Sequence, residues 1–492
     1  MISLPIGARS PAHPTILRSI KTAIILTLGA LGAHTALADG PPHQNVEFAL
    51  DSSLSYDSNP NYGQVNGGGA FSNYTGGSLF LNEDTPRFKA LVGAIGGYTQ
   101  YEGSASSYGF AEGSLNARAE YAFIPERFYW TASELFGQNA TNAYAGPSLA
   151  NQTNVNIFST GPQFILPLGD EFHINAGGSV GEARYAGQTG ENSNRENLNI
   201  GLSHPIERFD TISVQGTYQK LDYVDVATNL YGYTANYAIE NVFFRWFEGS
   251  TRNDMTIELG EGRVTQGNIS YNSPTIRLNL NRLVTAHWNL GVAASEEYSD
   301  TAQQITNSLI NNRNPLPIPT PGPPMASYAQ LTAQPIKVDE VRITAKFVAN
   351  RTQFVGGIYE SREDYLDYSA DNTTNLGVSG HFTRRLSFKT DLSVSAGVGR
   401  VSYAAGALVQ RTENIGPTLA WRATPSFIVS AGVAYERRIS SNTEYSYSDM
   451  KATIGVRWSP FHNVGSFNQA PSSFSGVGGS SMSNIFSVPS SF

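Results

Sequence analysis

Beyond its first 40 or so positions, most of the chain alternates apolar with polar residues, in segments of about 10 to 14 residues divided by turn-forming clusters. In Val46 to Tyr56, the residues Val46, Phe48, Leu50, Leu54 and Tyr56 share one face, and Glu47, Asp51, Ser53 and Ser55 share the other. Leu115, Ala117, Ala119, Tyr121 and Phe123 alternate with Asn116, Arg118 and Glu120. Val341, Ile343, Ala345 and Phe347 alternate with Arg342, Thr344 and Lys346. Ala452, Ile454, Val456 and Trp458 alternate with Lys451, Thr453, Gly455 and Arg457. A period of two means strands, and a polar and an apolar face on every strand means that water lies on one side of the sheet and an apolar medium on the other. Phe128 to Phe136 does not give a clean phase: it puts Glu134 on the face of Trp130.

The connections alternate as well. Short ones are expected near 124–127, 167–171, 205–210, 285–287, 350–352, 384–387 and 423–426. Longer ones are expected near 57–77, 138–153, 187–195, 299–337, 367–372 and 438–447. Short turns on the periplasmic side and longer loops outside are the habit of outer-membrane barrels. The pattern therefore predicts an all-β, transmembrane, antiparallel up-and-down β-barrel of about 20 strands, within a range of roughly 16 to 20. On that topology Trp130, Trp246, Trp288, Trp421 and Trp458 all fall beside short turns or at the end of the last strand. They are expected to form one belt at the periplasmic interface, where an indole buries its ring and keeps its N–H wet.

The start of the chain reads as an address. Arg9, Arg18 and Lys21 precede an apolar run from Thr22 to Ala33, and Ala36-Leu37-Ala38 is a small-x-small cleavage site before Asp39. This is the secretory pattern, and the run is shorter than the ~20 residues that a membrane-spanning helix needs. The expected organisation is a signal peptide over 1–38, a short periplasmic segment over 39–45, a barrel over 46–458 and a Ser/Gly-rich tail over 459–492. The segment 39–45 is too short to be the plug domain of a TonB-dependent transporter. The longest connection, 299–337, holds the proline-rich stretch Asn314 to Pro324, which cannot form a ladder. Two placements are open to it: folded into the lumen as a constriction, or standing in solvent.

Composition agrees with this picture. Only 15% of residues are charged, Gly numbers 48, Tyr and Phe number 25 each, and there is no cysteine, so disulfides and thiolate metal sites do not arise. The formal charge is −8. Loss of the three basic residues in 1–38, a segment without acids, takes it to −11. An acidic balance argues against nucleic acid as a partner, since phosphate binding needs a basic patch. The expected partners are outer-membrane lipids and lipopolysaccharide.

Some stretches resemble a known group. Leu280-Asn281-Arg282-Leu283 stands before a turn, Trp288-Asn289-Leu290-Gly291 follows it, and Glu297-Tyr298-Ser299-Asp300 comes next. Tyr359 to Tyr365, Thr383-Arg384-Arg385-Leu386-Ser387 and Tyr56-Asp57-Ser58-Asn59-Pro60 fit the same pattern. Together they resemble the porin-like outer-membrane barrels encoded with PEP-CTERM and exopolysaccharide systems, most strongly over Leu278 to Ala396. The resemblance implies a channel or export-linked barrel that works with polysaccharide export machinery, and it brings no catalytic residues.

No constellation for catalysis emerges. The six histidines beyond residue 38 lack metal spacing. His381-Phe382-Thr383 only loosely matches the His-x-Ser of lipid A deacylases. Glu360 and Asp364 share a face with Arg362 while Glu363 lies opposite, so these acids do not converge on a calcium ion. No cofactor and no enzymatic activity are expected. The candidate functional residues are instead those alternation turns inward: Arg118, Glu120, Glu258, Arg277, Arg342, Lys346, Lys389 and Asp391. Two roles are left open: a channel that these residues line, or a non-conducting structural or surface-binding barrel whose loops carry the function.

Overall fold

Each strand's two-faced pattern is satisfied by closing the sheet on itself, which also removes the unpaired edges that an open sheet would expose. The computed structural model describes residues 43–460 apart from 61, 63–67, 104–106, 143–144, 146–150, 170, 188–191, 207–209, 224–235, 251–252, 304–333, 367–371 and 405–407. The expected signal peptide, the proline-rich stretch and the tail beyond Pro460 lie outside the described residues.

Twenty strands follow one another around the wall. The first five are β1 His43–Asp57, β2 Ala70–Asp84, β3 Phe88–Gly103, β4 Ser107–Ile124 and β5 Phe128–Ala140. Then come β6 Gln152–Leu168, β7 Phe172–Tyr185, β8 Ser193–Pro205, β9 Asp210–Tyr223 and β10 Asn236–Gly249. The next are β11 Asn253–Gln266, β12 Ile269–Leu283, β13 Trp288–Asp300, β14 Pro335–Ala349 and β15 Thr352–Tyr365. The last are β16 Thr373–Arg385, β17 Thr390–Tyr403, β18 Val409–Thr424, β19 Phe427–Ser440 and β20 Tyr447–Trp458. Every strand pairs antiparallel with its neighbours in sequence, and β20 returns to β1, with Leu50 opposite Trp458 and Asp57 opposite Lys451. The protein is a closed, antiparallel 20-stranded barrel. Its first strand begins at His43, slightly before the expected Val46.

The outward face carries exposed apolar side chains, among them Val180, Leu198, Ile200 and Val242, each at 60% exposure or more. Between them the inward positions hold Asp51, Ser53, Ser55 and Asp57 on β1, all buried. Two irregularities interrupt the ladders, one between Ala122 and Ile124 and one between Arg422 and Thr424. Neither reaches Glu134, which pairs with Ala117 and Phe158 on the side of Trp130; the Asn156 side-chain amide donates to its carboxylate at 3.2 Å. At Gly161, beside Pro162, a Cβ would sit 1.9 Å from the Gly178 carbonyl oxygen, so only glycine lets β6 approach β7 this closely.

One rim carries short turns throughout, including 85–87 between β2 and β3 and 425–426 between β18 and β19. The other rim carries the longer loops, but not uniformly. Between β11 and β12 the connection is only Gly267-Asn268, with Gly267 at φ +56°, and between β3 and β4 it is 104–106. The expected alternation of short and long connections does not extend to these two hairpins. A glycine in the left-handed region is enough for a tight reversal at the first of them.

Candidate functional site

The site is the lumen beneath the long-loop rim, and what shapes it is a hairpin that leaves the wall. β12 and β13 pair from Leu283 opposite Asn289 up to Ile276 opposite Glu296, and there the ladder stops. β13 and β14 stay paired four residues further, to Asp300 opposite Pro335. The upper half of β12, Ile269 to Thr275, pairs only with β11. Pro274 lies in this half; it has no N–H to donate and is tolerated where a strand has lost a neighbour.

The freed end of the β13–β14 hairpin is buried across the lumen. Tyr298 packs in a cluster with Leu221, Tyr223, Tyr237, Ile239 and Val264 of β9, β10 and β11. Gly262 lies beside that ring, and a Cβ there would crowd Tyr298 at 3.3 Å and Asn241 Oδ1 at 2.7 Å. Beyond β13 the chain turns helical at Thr301–Gln303, the last described residues before 304. Ala302 of this turn is fully buried against Leu135, Val155, Ile157, Ala183 and Tyr185 of β5, β6 and β7. Burial of apolar side chains against the inner wall holds the hairpin there.

Two ion pairs fix its position. Asp300 receives both guanidinium ends of Arg195 on β8, one at 3.2 Å and the other in close contact, with side-chain exposures of 1% and 2%. The same carboxylate accepts the backbone N–H groups of Ala302 at 3.3 Å and Gln303 at 3.4 Å, capping the turn. Lower down, Arg277 on β12 donates through Nε to Glu297 at 2.9 Å and through Nη1 to Glu258 on β11 at 2.7 Å. Arg245 on β10 completes the chain at 3.3 Å from Glu258. Charges this deep persist only when paired and hydrogen-bonded. At the split itself the lost backbone ladder is replaced by side chains: Ser273 donates to Glu296 at 3.1 Å, and Lys337 on β14 reaches Glu296 at 2.7 Å.

Beneath the hairpin lies a cavity of about 370 Å³. Arg118, Glu120 and Arg277 line it, as do Tyr298 and Gln303 of the hairpin. Its remaining wall is rich in uncharged amides and hydroxyls, among them Asn197, Asn199, Thr217, Gln219 and Asn241.

The other sequence-derived candidates lie elsewhere. Glu258 is buried behind Arg277. Arg342 binds Glu340 at 2.9 Å on β14, and Lys346 is exposed further toward the short-turn rim. Asp391 sits between Arg422 at 2.5 Å and Arg385 at 3.6 Å. Lys389 is not on a strand: it lies in the 386–389 turn, with its ammonium 5.9 Å from the Phe388 ring centre. Trp130, Trp246, Trp288, Trp421 and Trp458 are all exposed, and each lies at the short-turn end of its strand. His381 bonds to Thr383 at 3.0 Å, and Thr383 to Ser393 at 3.3 Å, a polar chain along the lumen face of β16 and β17. Glu363 faces Tyr365 and Thr373, whereas Asp364 pairs with Arg362; no metal-binding group is present among the described residues. Sequence reasoning missed Arg195 and Asp300, because it assigned them to the 187–195 and 299–337 connections.

No family model matches the chain, and neither does any curated protein. Solved structures of which it is reminiscent include the FrpB iron transporter of Neisseria meningitidis (F5-1 variant), at 8% identity and TM-score 0.44, covering 84% of this chain and 82% of that one. The siderophore receptor PirA of Pseudomonas aeruginosa matches at 9% identity and TM-score 0.41, over 85% and 81%. OpdK of the same organism, solved with vanillate, matches at 8% identity and TM-score 0.36, over 84% and 99%.

Proposed function

We propose that the chain is an outer-membrane barrel that acts as a passive channel, narrowed near its long-loop rim by the β13–β14 hairpin. The membrane reading is supported by the outward face. Ile200 at 63% exposure and Leu54 at 52% belong to an apolar surface that water would penalise and lipid tails would accept. Strands of 12 to 18 residues exceed the ~9–11 that a tilted strand needs to cross a bilayer. The exposed tryptophans then mark the periplasmic interface, and the long-loop rim faces lipopolysaccharide.

The observation that carries the channel reading is the Arg195–Asp300 pair, which ties β13 to β8, well away from it round the wall, and leaves a polar cavity below. A barrel of this size has room for an aqueous path, and a constriction lined by polar groups sets what passes. The finer reading, a link to polysaccharide export, is supported by the resemblance over Leu278 to Ala396. The same buried hairpin favours a second reading, a non-conducting barrel, if it closes the lumen completely. Purified full-length protein in planar bilayers decides between them. Discrete single-channel steps support the channel, and an intact barrel that never conducts overturns it.

A further inference from the structure

The lumen wall is not chemically uniform, and the difference points to a ligand class. On β7, β8 and β9 the inward residues Ser179, Asn197 and Gln219 stand in register as one row. One step toward the short-turn rim, Asn199, Thr217 and Asn241 of β8, β9 and β10 form a second row. All six line the cavity and none carries a charge. The arginines and acids around them are engaged with one another: Arg195 with Asp300, Arg277 with Glu258 and Glu297. On the opposite edge Lys89 and Arg118 stand among Glu83, Asp84 and Glu120, so the charged part of the lining is mixed and leans acidic.

Within the two rows only Asn197 to Ser179, at 3.1 Å, and Asn241 to Thr217, at 3.4 Å, bond side chain to side chain. Asn199 and Gln219 have no side-chain hydrogen bond among the described residues, and the same holds for Gln163 in the wall and Gln303 in the hairpin above. Each of these amides offers two donors and an acceptor toward the cavity. Two parallel rows of such groups match a ligand that donates and accepts at every edge without net charge. The cavity volume also lies within the roughly 300–1,000 Å³ of small-molecule sites.

We infer that the amide rows of β7 to β10, roofed by Tyr298 and Gln303, form a binding subsite for an uncharged polyhydroxylated solute, that is, a saccharide. This rests on the channel reading only for how the ligand arrives. Vicinal hydroxyls bond to amides in both directions, whereas an anion would find Arg277 already occupied by Glu258 and Glu297, and would meet Lys89 and Arg118 only beside the acids Glu83, Asp84 and Glu120.

The test uses purified full-length protein in detergent and calorimetric titration with two probes of three rings each, neutral maltotriose and anionic trigalacturonate. The expected result is that maltotriose binds more tightly. Replacing Asn199→Leu with Gln219→Met, which keeps volume and removes the amides, weakens binding by about tenfold or more. Arg342→Gln, which lies outside the cavity lining, leaves binding unchanged. Equal or tighter binding of trigalacturonate overturns the inference, as does unaltered maltotriose binding in the double variant or its absence in the unmodified protein. If the double variant fails to assemble, Asn199→Leu alone is read against the same outcomes. Bilayer recordings run in parallel: conductance without saccharide binding sinks the subsite and leaves the channel, and binding without conductance sinks the channel and leaves the subsite.

Discussion

The barrel has two seams with equally short ladders, and they behave differently. β1 and β20 share eight register pairs, and so do β12 and β13. At the first seam side chains bridge the two strands along the ladder and just beyond it. Arg457 donates to Asp51 at 2.6 Å, Ser55 meets Thr453 at 2.9 Å, and Ser58 donates to Asp449 at 2.9 Å. Ser459 closes the short-turn end by donating to the Phe48 carbonyl at 2.8 Å. At the second seam β13 is long enough to continue but does so with β14 alone, and its end is buried in the lumen. Ladder length therefore does not tell whether a seam is merely a closure or a hinge. What tells is where the released strand goes and whether charges are buried along with it.

The largest effect is expected where the hinge is pinned. Asp300→Ala leaves Arg195 buried without its carboxylate, which costs about 3–5 kcal/mol and frees the hairpin. Urea unfolding in lipid should show the loss, and the single-channel conductance of the assembled variant should rise. The exchange Arg195→Asp with Asp300→Arg should recover most of both. An assembled Asp300→Ala barrel with unchanged conductance would place the constriction elsewhere. At the closing seam Asp51→Ala should cost less, about 1.5–3 kcal/mol, because Arg457 is 11% exposed and can turn toward lumen water. It should lower the temperature at which the barrel shifts mobility on a gel while conductance stays the same. A change in conductance there would erase the distinction between closure and hinge.

Lys337→Ala probes the hinge with a weaker lever. Its ion pair with Glu296 is about one quarter exposed on both sides, so the cost should stay below about 1 kcal/mol. The expected signature is kinetic: more frequent brief transitions in bilayer current, growing with salt as the remaining contacts are screened. A current as steady as that of the unmodified protein would mean that the Ser273–Glu296 bond suffices.

The wall was legible in the sequence because water and an apolar medium act on alternate residues of the same strand. Lys451, Thr453 and Arg457 read as inward from their neighbours Ile454, Val456 and Trp458, and Arg457 does meet Asp51 inside. Arg277 and Glu258 were found in the same way. The hinge was not legible. Arg195 and Asp300 lie 105 positions apart on strands that never pair, and no local period carries information across a lumen. Pro274 was the local trace of the split, a residue without a donor inside a long strand. Lys389 shows the opposite failure: alternation was resumed just past the expected 384–387 turn, whereas the turn runs over 386–389 and Lys389 still lies in it. Glu134 shows that a polar residue on the outward side need not signal a bulge, since Asn156 supplies a partner on the same face.

The smallest expected difference is between the bases of the two seams. Each carries a tryptophan at the short-turn end, Trp288 beginning β13 and Trp458 ending β20. Trp288 packs on Phe347 with ring centres 5.0 Å apart, and Trp458 meets Phe48 edge-on at 6.5 Å. Both rings are about 40% exposed, so at a lipid interface each would rest its ring on the apolar band and keep its N–H in the wet layer. Replacing either by Phe retains the ring contact, worth about 0.5–1.5 kcal/mol for an aromatic pair, and removes only the polar edge. Trp288→Phe and Trp458→Phe should therefore change stability by similar and small amounts, and neither should alter conductance, because the hinge acts at the other rim. In vesicles with brominated lipids, the emission lost by each variant should report the same quenching depth. If Trp288 lay deeper than Trp458, the base of the hinged seam would itself be displaced from the wall, and the split would run the full height of the barrel instead of starting above Ile276.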